Sequence, residues 1–279
     1  MSGVGAELAA FRATAAKEWQ ILRRYPLNLI IPLIWAIVLP YIYVGEAYGF
    51  SGSAPHALAV FAGRAGTTQI PAFLYLGWTV YLWIATVLWG PGTAVRMEKM
   101  QGTLEPVLLT RTSAVTILFG PVPAYLVSAA GVFAVAALTL KAFFAYPLTA
   151  GQLIRSFLVI MAATPILLAL GALFSAVSVF VRDFTGLAQA IQGLLTVLCG
   201  ITYPLAVLPG WARAVSQTLP PTHIVDGLRT AALASGGLSA VTDQIAWLLA
   251  AAVGIGVVAI LIMRMTLAAA RVSGRMGMF

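Results

Sequence analysis

The chain has 279 residues, of which 61% are hydrophobic and only 9% charged, with a mean hydropathy of +0.97. A water-soluble core does not need so much apolar side chain, whereas lipid-facing helices do, so the expected fold class is an all-α integral membrane protein. The formal net charge of +8 does not point to nucleic acid, because the basic residues flank apolar runs, where topology and anionic membrane lipids account for them.

Residues 3–24 read as an amphipathic helix. Leu8, Phe11, Ala15, Trp19 and Leu22 recur at helical spacing, while Glu7, Lys17, Glu18 and Arg23 fall off that stripe. Such a helix beside a span is expected to lie in the cytoplasmic headgroup layer. It holds four basic residues and no continuous apolar core, so no cleavable signal peptide is expected. Pro26 closes it, since proline disfavours helix at the residue before it.

Six charge-free windows follow, 25–45, 65–95, 112–140, 156–181, 184–212 and 244–263. Each has the ~20 residues that a spanning helix needs, so six transmembrane helices are expected. The stretches 47–63 and 142–154 read as loops. With a cytoplasmic N-terminus the inside carries eleven basic residues: Arg12, Lys17, Arg23, Arg24, Arg96, Lys99, Arg111, Arg182, Arg264, Arg271 and Arg275. The outside carries five: Arg64, Lys141, Arg155, Arg213 and Arg229. Both termini are therefore expected in the cytoplasm.

Four charges crowd into the ten residues Arg96 to Glu105, between two uncharged runs. On a helix Glu98, Gln101, Gly102 and Glu105 share one face, and Met97, Met100, Leu104 and Leu108 another. One face can rest on the spans while the other meets a partner; the plainer reading is a loop kept in water by its charges. Arg182 and Asp183 form a second, very short cytoplasmic loop, as membrane-surface markers or as a partner contact. After the fifth window, 203–243 is too apolar for an ordinary outer loop. Two short helices, about 210–219 and 222–234, each open just after Pro or Gly and suggest a re-entrant or interfacial hairpin. Trp211 and Arg229 there either line an exit or sit at headgroup level.

Missing chemistry narrows the function. Lys17, Lys99 and Lys141 follow Ala16, Glu98 and Leu140, so there is no Gly-Lys phosphate loop. His56 and His223 are far apart, and no residues have metal-ligand spacing. No nucleophile, base and orienter come together, and the middles of the windows hold no ionisable group for ion coupling. Cys199 lies in an apolar run and reads as packing. No metal, catalytic residue or bound cofactor is expected in this chain.

Three stretches carry a resemblance to the membrane (permease) subunits of type-2 ABC exporters, which include prokaryotic drug, polysaccharide and lipid exporters. Arg24-Tyr25-Pro26 is similar to the family's Arg-x-Pro junction before the first span. Glu98 through Gly102-Thr103-Leu104-Glu105, followed by Leu108, resembles its E-(R/K)-x-x-G-T-L-E loop, although Arg111 stands where the family often has Pro. Pro204, Pro209, Trp211, Pro221, Thr222 and Arg229 resemble its outer segment after the fifth span. The resemblance covers nearly the whole chain.

It implies one transmembrane domain over 1–279, paired with a second permease copy or a paralogue and served by two cytoplasmic ATPase subunits that hold ATP and Mg. Residues 96–110 would dock on the ATPase, and 203–243 would close the outer end. The expected function is ATP-driven export of a hydrophobic or amphipathic substrate (drug, lipid or lipid-linked glycan) across a prokaryotic cytoplasmic membrane. A non-transporting scaffold for a cytoplasmic protein, or an ATP-independent facilitator, is the alternative.

Overall fold

The computed structural model describes residues 3–51, 55–93, 122–178, 184–234 and 236–273, with Arg96, Met100, Gly102, Gly120 and Val181 as single positions. Among the described residues there is helix and no strand. The helices are α1 (Gly3–Arg24), α2 (Leu27–Ser51), α3 (Pro55–Ala65), α4 (Ile70–Trp89), α5 (Val122–Phe144), α6 (Ala150–Ser178), α7 (Phe184–Leu198), α8 (Gly210–Thr218), α9 (Pro220–Leu233) and α10 (Ser239–Ser273). Single 3₁₀ turns at Pro91–Thr93 and Leu205–Val207 follow α4 and α7.

Five of these helices contain a segment long and apolar enough to cross a bilayer: Leu27–Gly49, Ile70–Thr93, Pro123–Phe144, Ala150–Ser178 and Ser239–Thr266. The fifth window, 184–212, does not form one long helix. Its helix stops at Leu198, and 15 residues rise only ~22 Å against a ~30 Å hydrocarbon core. Gly200 takes φ +66°, a left-handed position that ends a helix. Pro204 and Leu208 then run extended.

Other boundaries also move. The stretch 47–63 was expected as loop, but α2 runs to Ser51 and α3 fills 55–65. The stretch 142–154 holds the end of α5 and the start of α6. There Thr149 and Gln152 cap each other reciprocally: the Thr149 amide donates to Gln152 Oε1 (2.8 Å) and the Gln152 amide to Thr149 Oγ1 (3.3 Å). Arg155 had cut the fourth window short, yet the helix runs straight through it.

α4 and α6 form the centre. α6 packs against α9 and α10, α4 against α2 and α5, and α4 and α6 meet each other. The main core joins Leu76, Val80 and Trp83 of α4 to Val159, Ala163 and Ile166 of α6, with Ile224 and Leu228 of α9 and Leu248 of α10. By contrast α2 shows Ile30, Ile34 and Trp35, and α10 shows Val253, Val257 and Leu261, on open faces. Open apolar side chains of this kind are stable in hydrocarbon, where lipid is the solvent. α1 rests against α5 and leaves Leu8 and Trp19 of its apolar stripe exposed.

Lipid offers no hydrogen bonds, and three threonine hydroxyls inside the spans bond to their own helix. Thr79 donates to the Tyr75 carbonyl, Thr139 to Val135 and Thr164 to Ile160, each at 2.8 Å. In the turn that Pro40 loosens in α2, the Tyr75 hydroxyl donates to the Ile37 carbonyl (3.3 Å). Close approach rather than hydrophobicity holds spans together in lipid. Gly171 illustrates this, since a Cβ there would come within 2.9 Å of Val87 Cγ1. The small residues Gly171 and Ser175 are both buried inside the chain.

Gly171→Leu is predicted to lower the thermal unfolding temperature in detergent through overpacking of ~1–3 kcal/mol. Gly254→Leu, on α10 where an added Cβ would meet nothing within 4 Å, is predicted to leave that temperature unchanged.

Candidate functional site

Two regions were singled out by the sequence, at opposite ends of α4. After the C-terminal end of α4 stands Arg96, the first residue of the charged stretch. Its Nη1 donates to the Val181 carbonyl (2.8 Å) and the Ser178 carbonyl (3.2 Å). The guanidinium carbon also sits 5.4 Å from the centre of the Phe184 ring, a cation–π distance. Phe184 in turn packs against Phe174 and Trp89, with ring centres 4.9 and 6.0 Å apart. Arg96 thus ties the start of the charged stretch to the end of α6 and the start of α7. A cation at a helix C-terminus also meets the negative end of the helix dipole.

Gly102 is exposed, with φ +69°, a left-handed backbone position that glycine adopts at no steric cost. Glu98, Thr103, Leu104, Glu105 and Leu108 lie outside the described residues, as do Arg182 and Asp183. The structure therefore brings the edge of the charged stretch and the edge of the 179–183 connection together through Arg96.

At the other end of α4 the chain between α7 and α9 is built around Arg229. Its guanidinium is buried and donates to the carbonyls of Gly200 (2.7 Å), Ile201 (2.9 Å) and Phe73 (3.1 and 3.2 Å). It also lies against the Phe73 ring, 3.3 Å from its centre. A guanidinium keeps its charge even when buried. Arg229 was expected to line an exit or to anchor at headgroup level. Its hydrogen bonds make it a brace, joining non-helical backbone after α7 to the first turn of α4. Gly77 makes the approach possible, because a Cβ there would collide with the Ile201 carbonyl oxygen and the Arg229 guanidinium.

The other outer residues support this brace. Pro204 is buried and extended, and Pro209 stands directly before α8. Pro221, in the first turn of α9 after Pro220, is buried, where proline's missing N–H costs nothing. Trp211 is 72% exposed and points away from the chain. Ser216 and Thr222 hydroxyls meet at 3.3 Å, and His223 stacks on Trp247 of α10 with ring centres 3.6 Å apart.

Sequence reasoning missed Arg155. It is buried in α6, where Nε donates to the Ala231 carbonyl (3.1 Å), Nη2 to Ala234 (2.9 Å) and Nη1 to Gly236. Gln152 Nε2 adds a bond to Ala232 (2.7 Å). Together these satisfy the carbonyls that the end of α9 leaves open. A lone arginine against an otherwise apolar run was the available signal.

Between these ends, an apolar cleft of about 350 Å³ opens between α4, α6, α7 and the start of α9, lined by residues including Ile84, Val87, Leu170, Phe174, Ile191 and Pro220. Among the described residues no group of His, Cys, Asp and Glu could hold a metal ion.

An all-helical chain with five helices long and apolar enough to cross a bilayer is a multi-pass membrane domain. Residues 9–233 match the ABC-2 type transporter membrane-domain family, and the chain belongs to that family. It is a multi-pass membrane protein of the ABC-2 permease type. No curated protein matches the chain.

The sharpest check of this site is Arg229→Lys. A lysine has the charge without the planar fork, so carbonyls at Gly200, Ile201 and Phe73 lose donors at ~1–3 kcal/mol each. The variant is predicted to unfold at a clearly lower temperature in detergent. Gly77→Ala is predicted to shift it in the same direction, since it displaces the same contact.

Proposed function

We propose that this chain is the permease subunit of an ATP-driven exporter, moving a hydrophobic or amphipathic substrate outward across the cytoplasmic membrane of a prokaryote. ABC-2 permeases generally work with a cytoplasmic ATPase subunit. In this reading the whole chain is one transmembrane domain that works beside a second permease copy or a paralogue. Two ATPase subunits bind ATP and Mg and do the hydrolysis, which this chain does not perform. The 96–110 stretch, with Glu98, Gly102, Thr103, Leu104, Glu105 and Leu108, docks on them.

The observation that carries the proposal is the Arg96 tie to Ser178, Val181 and Phe184. A partner pushing on the charged stretch would move the ends of α6 and α7 directly, and those helices wall the apolar cleft. Hydrocarbon-like walls favour apolar cargo. In the proposed topology α7 completes six crossings, its short helix continued by backbone that Arg229 satisfies inside protein. The α8–α9 hairpin is then re-entrant at the outer face, and both termini are cytoplasmic.

The test is a mild-detergent pull-down of the tagged chain, with mass spectrometry of what co-purifies in stoichiometric amount. A partner bearing a phosphate-binding Gly-Lys loop is expected. Glu105→Lys and Arg96→Ala are each predicted to reduce substrate-stimulated ATPase activity of the reconstituted complex by about tenfold, with membrane insertion unchanged. The two differ in docking: Glu105→Lys loses the partner, while Arg96→Ala keeps it. Recovery of the chain alone across several detergents and nanodiscs would leave a scaffold or an ATP-independent facilitator as the reading.

A further inference from the structure

At the Arg229 end, a cleft of about 530 Å³ opens between the 64–67 turn, the 204–206 turn, the polar face of α9 and Gln244 of α10. That volume falls within the ~300–1,000 Å³ of small-molecule sites. Arg229 is committed to carbonyls, as described, but Arg64 and Asp226 have no hydrogen bond or ion pair among the described residues. Gln244 contributes to the wall of the cleft. Asp226 lies one helical turn from Arg229, so both project from the same face of α9. The cleft therefore offers an anionic acceptor at Asp226 and a separate cation at Arg64.

We propose that this cleft binds a zwitterion that carries a primary ammonium and a phosphate, the ammonium donating to Asp226 and the phosphate meeting Arg64. An anion alone would face the Asp226 carboxylate, and a simple cation would face Arg64 and Arg229, so only a ligand with both signs satisfies the lining. Two sources share this chemistry: the headgroup of an aminophospholipid in the adjacent leaflet and a free phosphorylated amino alcohol. The site needs no transport cycle and stands whether or not the exporter reading holds.

The test uses the purified full chain and two arms. In the first, O-phosphoethanolamine is titrated by calorimetry, with ethanolamine and inorganic phosphate as single-charge probes. In the second, nanodiscs of equal phosphatidylethanolamine and phosphatidylglycerol are followed by native mass spectrometry of retained lipid. Binding of the zwitterion in the first arm, or selective retention of phosphatidylethanolamine in the second, is expected, and which arm responds identifies the source. Asp226→Asn should weaken the signal about tenfold or more, the factor carried by one hydrogen bond to a charged group. Arg64→Gln, at an exposed position, decides the matter should the first variant fail to fold. Silence in both arms, equal binding of phosphate alone, or an undiminished signal in Asp226→Asn and Arg64→Gln would overturn the proposal.

Discussion

Backbone N–H and C=O groups cannot be left unpaired in hydrocarbon, and the rest of this structure depends on how that constraint is met where helices break. A continuous span satisfies its own backbone. α7 does not continue: at Gly200 the chain leaves the helix, and the carbonyls of Gly200 and Ile201 need donors from elsewhere. One guanidinium supplies them. Arginine suits this task because its planar fork presents five donors at fixed angles and holds its charge even when buried. The break and Arg229 are thus one feature, and Gly77 is the gap through which they meet.

The same solution recurs at two other breaks. Arg155 takes the carbonyls at the end of α9, and Arg96 takes those at the end of α6. In each case a cation from one element closes the open end of another, where the helix dipole favours positive charge. These are long-range ties: Arg229 reaches Phe73 across 156 positions, Arg96 reaches Val181 across 85 and Arg155 reaches Ala231 across 76. Apolar packing in a membrane discriminates weakly between partners, since lipid tails are as apolar as the side chains. Directional bonds from three arginines supply the register that packing alone would leave loose.

Much of this was legible from residues. The all-helical membrane class followed from composition, and α8 and α9 fall within two residues of the expected 210–219 and 222–234 because Pro209 and Pro220 mark their starts. What was not legible had a physical reason. Charge-free windows treat every charge as a boundary, yet Arg155 lies inside α6 because carbonyls from α9 receive it. They also treat Gly200 as neutral, so the end of α7 passed unseen. Hydropathy records what a side chain costs in lipid, not what distant backbone compensates for it. Arg229 therefore read as an exit-lining or headgroup-level cation, and its bonds to buried carbonyls could not be read from hydropathy. The 96–110 face pattern remains a sequence reading, with Arg96 as its structural footing and Gly102 as its one visible turn.

Cys199 has a practical consequence. It is the only cysteine of the chain, fully enclosed between the end of α7 and Gly200. A thiol so enclosed is shielded from water-borne maleimides and similar reagents while the fold is intact. Reporter cysteines placed at exposed positions such as Trp211 or Met100 can then be labelled in the natural background, without first removing the native thiol. Conversely, any reaction at Cys199 itself would register that the broken end of α7 has opened, making this one sulfur a built-in gauge of the brace around it.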